Sequence, residues 1–170
     1  MPSTKRSSKP QNSEPAPADD PKVAKQTRPV RIRLSTKREL NGTVFLGLYE
    51  ASHAGPQTVG DLLNSEEAFI PLKTAKGVRL INTEQIVLAR TPAEGEVDEL
   101  MTMGIRCPVT IALADATSLR GNIYITMPEG HRRPKDFFNH APKFFPFFKD
   151  DQLVYINRRL VASIQDDTPR

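Results

Sequence analysis

A chain that spells one small module twice can fold only in ways that give both copies a similar core. The segment from Pro29-Val30-Arg31-Ile32-Arg33-Leu34 to Arg79-Leu80-Ile81-Asn82-Thr83-Glu84-Gln85-Ile86 recurs as Pro108-Val109-Thr110-Ile111-Ala112-Leu113 through Val154-Tyr155-Ile156-Asn157-Arg158-Arg159-Leu160-Val161. Leu40 aligns with Leu119, Gly42 with Gly121, Asp61 with Asp136, Asn64 with Asn139, Phe69 with Phe144 and Pro71 with Pro146. The offset is about 79 residues before a variable loop and about 75 after it, so one length change of roughly four residues reconciles the match. Copies of about 60 residues lie near the lower limit for a self-sufficient core, a limit that packing two copies together would ease.

Each copy reads as short strands. Val30, Ile32 and Leu34 alternate with Arg31, Arg33 and Ser35, the period of a half-buried strand, and Val109, Ile111 and Leu113 repeat the inward set. Gly42 or Gly121 stands at the start of the next strand, where a missing side chain permits a bend or bulge. That strand places Phe45 and Tyr124 at equivalent positions on its opposite face.

A short helical turn follows. Thr58 to Asp61 reads as a capping box, and Pro134 suits a first helical position with Asp136 in the first turn. The paired Asp and Asn of DLLN and DFFN could be read as an active site, but capping and turn chemistry explains both. The third strand, AFIPL or KFFPF, carries a proline that argues for an edge or a bulge. A fourth strand, an Asn82 or Asn157 turn and a fifth short strand complete a pattern that matches a small, strongly bent β-barrel.

The domain plan is a disordered N-terminal tail over 1–28, a first barrel over 29–91, an acidic connector over 92–106, a second barrel over 107–166 and a C-terminal tail over 167–170. The tail is rich in Pro, Ser, Lys, Asp and Gln and offers little to bury. In the connector, Val97, Leu100 and Met101 have the spacing of a short amphipathic helix. Of the net charge of +4, about three charges belong to the tail, so the folded part is nearly neutral and carries no strongly basic nucleic-acid signature. The single cysteine, Cys107, excludes an internal disulfide and suits a small buried role. With no apolar run of membrane-spanning length and no secretory pattern, a soluble, cytoplasmic protein is expected.

The order of bent strand, glycine-started second strand, variable loop, third strand, then hydrophobic strand, tight turn and terminal strand resembles the Sm-like small β-barrels, and more broadly the SH3-like barrels. The resemblance covers about residues 29–91 and 107–165 and implies an all-β protein of a bacterial type. It implies two tandem five-stranded small β-barrels, each with a short helical turn. Sm-like RNA binders carry a basic residue and a glycine in the turn before the last strand. Here that turn is Asn82-Thr83 or Asn157-Arg158, so the resemblance implies the fold rather than Sm-type uridine recognition. Tandem linkage argues against a simple ring of single modules and leaves dimers or trimers of the two-barrel chain.

Chemistry is sought where the copies differ. The second copy has Gly130-His131-Arg132-Arg133-Pro134-Lys135 after its second strand and Arg158-Arg159 before its fifth; the first copy lacks these charges. In an Sm-like barrel those loops approach one rim. Arg132, Arg133, Lys135, Arg158 and Arg159 would then form an asymmetric site for an anion or a protein partner. The alternative is a solvated surface balanced by Glu129, Asp150 and Asp151. Six of the eight phenylalanines lie in DFFNHAPKFFPFFK, and five of them align with apolar positions of the first copy. Phe148 aligns with Lys73, so Phe148, Phe45 and Tyr124 are candidates for an inter-barrel or partner interface, or for base stacking.

His53, His131 and His140 lack the companions of a zinc site, and no phosphate loop, nucleophile elbow or HExxH occurs. The expectation is therefore a non-enzymatic binding or scaffolding protein with no catalytic residues, metal or small-molecule cofactor. It would act through a protein partner or self-association, with an RNA as the alternative partner and no membrane.

Overall fold

The computed structural model describes residues 25–48 and 55–169, so the expectations for residues 1–24 and for His53 lie outside the described residues. The first copy folds as β1 (Lys25–Leu34), β2 (Glu39–Gly47), α1 (Val59–Asn64), β3 (Phe69–Thr74), β4 (Gly77–Asn82), a 3-10 turn (Thr83–Gln85) and β5 (Ile86–Pro92). After α2 (Glu99–Thr102), the second copy repeats it as β6 (Ile105–Leu113), β7 (Ser118–Ile125), α3 (Pro134–His140), β8 (Phe144–Lys149), β9 (Gln152–Asn157), a 3-10 turn (Arg158–Leu160) and β10 (Val161–Asp166). β1 starts at Lys25 and β6 at Ile105, so each copy's first strand begins a few residues before the boundary read from the sequence.

The architecture is all-β: the described residues form ten antiparallel strands in one sheet, in the order β10-β6-β7-β8-β9-β5-β1-β2-β3-β4, open at β10 and at β4. β1 pairs with β5 as β6 pairs with β10, and both ladders slip at the same place. Leu34 faces Ile86 and Arg33 faces Leu88, skipping Val87; Leu113 faces Val161 and Ala112 faces Ser163, skipping Ala162. Lys37 and Ala116, equivalent residues in the first turn of each copy, share a left-handed backbone with φ of 64° and 68°.

Gly42 and Gly121 explain themselves by close approach. A Cβ on Gly42 would lie 2.5 Å from the Lys73 carbonyl oxygen, and one on Gly121 would lie 2.5 Å from that of Phe148. Here β2 meets β3 through the single pair Thr43 and Lys73, and β7 meets β8 through Asn122 and Phe148. The proline-bearing strands β3 and β8 are therefore interior strands, not edges. Pro71 and Pro146 are accommodated because the neighbouring ladder on one side is reduced to one pair.

The Thr58 box forms as expected: its hydroxyl accepts from the Asp61 N–H, and Asp61 accepts from the Thr58 N–H at 2.8 Å. Pro134 opens α3, with Arg133 at the N-cap and no side-chain cap. The connector turns into α2, shorter than its apolar spacing suggests; Val97 and Met101 pack on the first core while Leu100 stays exposed.

Two hydrophobic cores result, and each borrows from the other copy. The first is built on Val30, Ile32, Val44, Leu46, Ile70 and Leu72 and takes in Phe144, Leu153 and Tyr155 from the second copy. The second is built on Val109, Ile111, Ile123, Phe145 and Phe147 and takes in Val87 and Leu88 from the first. Phe137, Phe138 and Phe145 pack edge to face within it. Cys107 is buried there, and burial, followed by the charge of Asp166, pushes its thiol up.

Candidate functional site

The exchange of core residues is organised by one strand pair. β5 of the first copy pairs with β9 of the second, with Leu88 opposite Ile156, Ala89 opposite Tyr155, Arg90 opposite Val154 and Thr91 opposite Leu153. Both strands are short and apolar on both faces, the pattern of a strand covered on two sides.

Polar groups lock this junction at three points. At α1, the Asn64 carboxamide accepts from the Phe144 N–H at 2.8 Å and donates to the Phe144 carbonyl at 2.9 Å. Asn64, read from the sequence as turn chemistry, is thus a clamp on the backbone of the other copy. At the end of β9, Asn157 is buried; its Oδ1 accepts from the Arg159 N–H and its Nδ2 donates to the Ile86 carbonyl at 2.9 Å.

Between these, the buried Glu96 draws the connector onto α1 and β9. Its Oε1 accepts from the Val59 N–H at 2.6 Å and from the Tyr155 hydroxyl at 2.9 Å. Gly60 lies against the Tyr155 ring, where a Cβ would come within 2.5 Å. Burial raises the Glu96 carboxyl above its usual range, against the opposing pull of these donors and of Arg28, whose Nε is 3.7 Å from Oε2. Burial and the neighbouring Glu96 likewise push the Tyr155 phenol up.

On the surface of the junction, Glu84 is held by Lys143 at 2.5 Å and by Arg159 at 2.8 Å. The Lys143 hydrogen bond, against some desolvation and helped by Arg159, holds its carboxyl below the usual range. Arg33 of β1 reaches the first turn of the second copy, with Nε 3.4 Å from Asp115 and a donor 2.8 Å from the Thr117 hydroxyl.

The cationic residues of the second copy fall into two groups. Arg158 donates to the Asn139 carbonyl at 2.9 Å, at the C-terminal end of α3, and Arg159 is committed to Glu84. Arg132 and Arg133, in the loop leading into α3, and Lys135, in its first turn, are exposed, and none of them makes an ion pair among the described residues. Arg132 Nε donates to the Met127 carbonyl at 3.1 Å. Of the aromatic candidates, Tyr124 and Phe148 close on each other edge to face at 5.0 Å, and Phe148 packs against the first core; Phe45 is half-buried.

His131 and His140 are exposed, and among the described residues no group of three or more His, Cys, Asp or Glu could hold a metal ion. Among the described residues no helix is long and apolar enough to cross a membrane. No protein-family model matches the chain, and comparison with curated proteins and with solved structures finds no match.

Sequence reasoning did not single out Glu96, Tyr155 or Glu84, and it took Asn64 and Asn157 for local turn residues. A signal was present: Val154 stands where the first copy has Arg79, so the second copy's fourth strand is apolar on both faces and the first copy's is not.

Proposed function

We propose that this chain is a non-enzymatic binding or scaffolding protein built from two diverged Sm-like small barrels and working in the cytoplasm. The observation that carries this reading is the β5–β9 ladder, which joins the two copies into one sheet with shared cores. Such a chain presents fixed surfaces, because the residues each core takes from the other copy hold the two modules in one orientation.

Its contact surface is the second copy's basic loop and the first turn of α3, where Arg132, Arg133 and Lys135 offer unneutralised donors to an acidic protein surface. Arg158 holds the C-terminal end of α3 through its carbonyls, whereas Arg159 is paired with Glu84 of the first copy. The closed Tyr124–Phe148 pair favours protein over RNA, because base stacking needs an open aromatic face.

The test is affinity capture of the partner by the full chain and by a variant with Arg132, Arg133 and Lys135 changed to alanine. Loss of a stoichiometric protein partner in the variant is the expected result. A partner that is an RNA, released with a steep dependence on salt, would move the reading to an RNA-associated regulator. Capture of neither would sink both.

A further inference from the structure

Three apolar residues that the first copy leaves exposed are the counterparts of residues that the second copy buries at the junction. Phe69, Val78 and Leu80 are 54%, 63% and 70% exposed. Their equivalents Phe144, Leu153 and Tyr155 are 0%, 0% and 3% exposed, and these three are the second copy's members of the first copy's core. The reciprocal holds on the other strand: Val87 and Leu88 of β5 sit in the second core, while their equivalents on β10, Ala162 and Ser163, are exposed. β4 and β10 are also the two open ends of the sheet. We infer that β10 of one chain pairs antiparallel with β4 of a second copy, repeating between chains the β5–β9 junction found within each. This rests on the scaffold reading and adds to it a second contact, self-association through the two sheet edges.

The register transfers directly. Moving the β5–β9 pairs to their equivalents places Ser163 opposite Ile81, Ile164 opposite Leu80 and Gln165 opposite Arg79 of the next chain. A seat for the incoming side chains exists beside β10. A cavity of about 570 Å³ is lined by Arg133, Lys135, Phe138, Asn139, Ile164 and Asp166. Five of these match Thr58, Gly60, Leu63, Asn64 and Ala89, residues of α1 and its cap or of β5 beside the junction, among them Gly60 under the Tyr155 ring and Asn64 on the Phe144 backbone. The sizes match: Gly60 leaves room for Tyr155, whereas Lys135 fills part of that room and faces the smaller Leu80.

The polar locks are also duplicated and idle. The Asn139 side chain makes no hydrogen bond among the described residues, and its equivalent Asn64 holds the Phe144 backbone; Asn139 would hold that of Phe69. Asn82 shapes its own turn by accepting from the Glu84 N–H, but its Nδ2 has no acceptor among the described residues. The equivalent Asn157 donates to the Ile86 carbonyl, so Asn82 would donate to that of Val161. Charge alternates along the same line: Arg159 already meets Glu84 of its own chain and would face Glu84 of the next. The contact is heterologous, because each chain offers two different edges. It therefore propagates into a closed ring of alternating modules or an open filament.

The experiment measures the mass of the purified full chain in solution, at about 10 µM, a concentration that detects association of comparable or tighter affinity. A mass above the 19.0 kDa of one chain is expected, a discrete multiple where the ring closes and a concentration-dependent series where it does not. Leu80→Lys on β4 and Ser163→Arg on β10 should each reduce it to the single-chain mass with unchanged circular dichroism, since both positions are exposed within one chain. An equimolar mixture of the two variants should recover a species of two chains and no larger one, because one intact edge of each kind remains. A monomeric parent chain, variants that leave the assembly intact, or a mixture that stays monomeric overturns the inference. If the parent is monomeric yet retains a protein partner through Arg132, Arg133 and Lys135, the self-assembly falls and the scaffold reading stands. A monomer without any partner removes both.

Discussion

The two copies share a backbone plan down to its irregularities and differ in what their last strands touch. In both, the first strand slips by one residue against the fifth, a glycine lets the third strand cross the second, and an asparagine opens the turn before the fifth. The second copy's fourth strand is buried between neighbours, whereas the first copy's fourth strand lies at a free edge. The difference teaches that equivalent positions need not carry equivalent energies. A residue's contribution is set by whether a partner strand covers it, and the pairs of equivalent residues measure that contribution directly.

The sharpest break in the comparison comes from the third strands. Phe144→Ala removes a fully buried ring from the first core and should cost about 3–5 kcal/mol, read from the urea unfolding midpoint. Phe69→Ala, at the equivalent exposed site, should cost less than about 1 kcal/mol when measured in the Leu80→Lys background, which keeps self-association out of the reading. Equal losses would show that the junction contributes nothing special.

Smaller effects should follow the same asymmetry at the helices. Asn64→Ala strands the buried Phe144 N–H and carbonyl and should cost about 1–3 kcal/mol, against almost nothing for Asn139→Ala in the single chain. Gly60→Ala drives a methyl into the Tyr155 ring and should cost about 1–3 kcal/mol, while Lys135→Ala should stay within about 0.5 kcal/mol. A Tyr155→Leu change that rescues Gly60→Ala would tie the loss to that one contact.

These equivalences are legible in the sequence because the repeat survives in the residues that satisfy backbone geometry. Gly42 and Gly121 are legible as positions that need no side chain, and Thr58 with Asp61 as a cap, because their partners lie within a few residues or are dictated by chain crossing. Alternation in Val30, Ile32 and Leu34 gave the buried face for the same reason. The junction was not legible in this way. Asn64 meets Phe144 across 80 residues of sequence and Glu84 meets Lys143 across 59, and a local pattern carries no information about which strand will lie alongside another. The prolines misled for a related reason: an interior strand tolerates Pro71 or Pro146 when its ladder on one side shrinks to a single pair, and ladder length is a tertiary property. Convergence of the five cations could not be judged from sequence either. Arg159 finds Glu84, a residue of the other copy, and Arg158 turns to the carbonyl end of α3.

The smallest expected effect tests the connector's share in the junction through pH. Burial raises the Glu96 carboxyl above the value near 4.5 that it has in the unfolded chain. Between that value and its folded one the native state holds more protons than the unfolded state, so this group's contribution to stability is full at low pH and falls as pH rises through the window. Asp115 has the opposite sign. Its burial is outweighed by the Thr117 hydroxyl and N–H and by Arg33, its carboxyl lies below the usual range, and its contribution is lost only as pH falls. Glu96→Gln keeps an oxygen for Val59 and Tyr155 but cannot titrate. The stability of the parent relative to Glu96→Gln should therefore decline as pH is raised from about 4.5 towards neutrality, followed by urea unfolding at each pH. A difference that stays flat, or rises with pH, would mean that the carboxylate remains charged throughout. The Arg28 pair and the donors from α1 would then outweigh its burial.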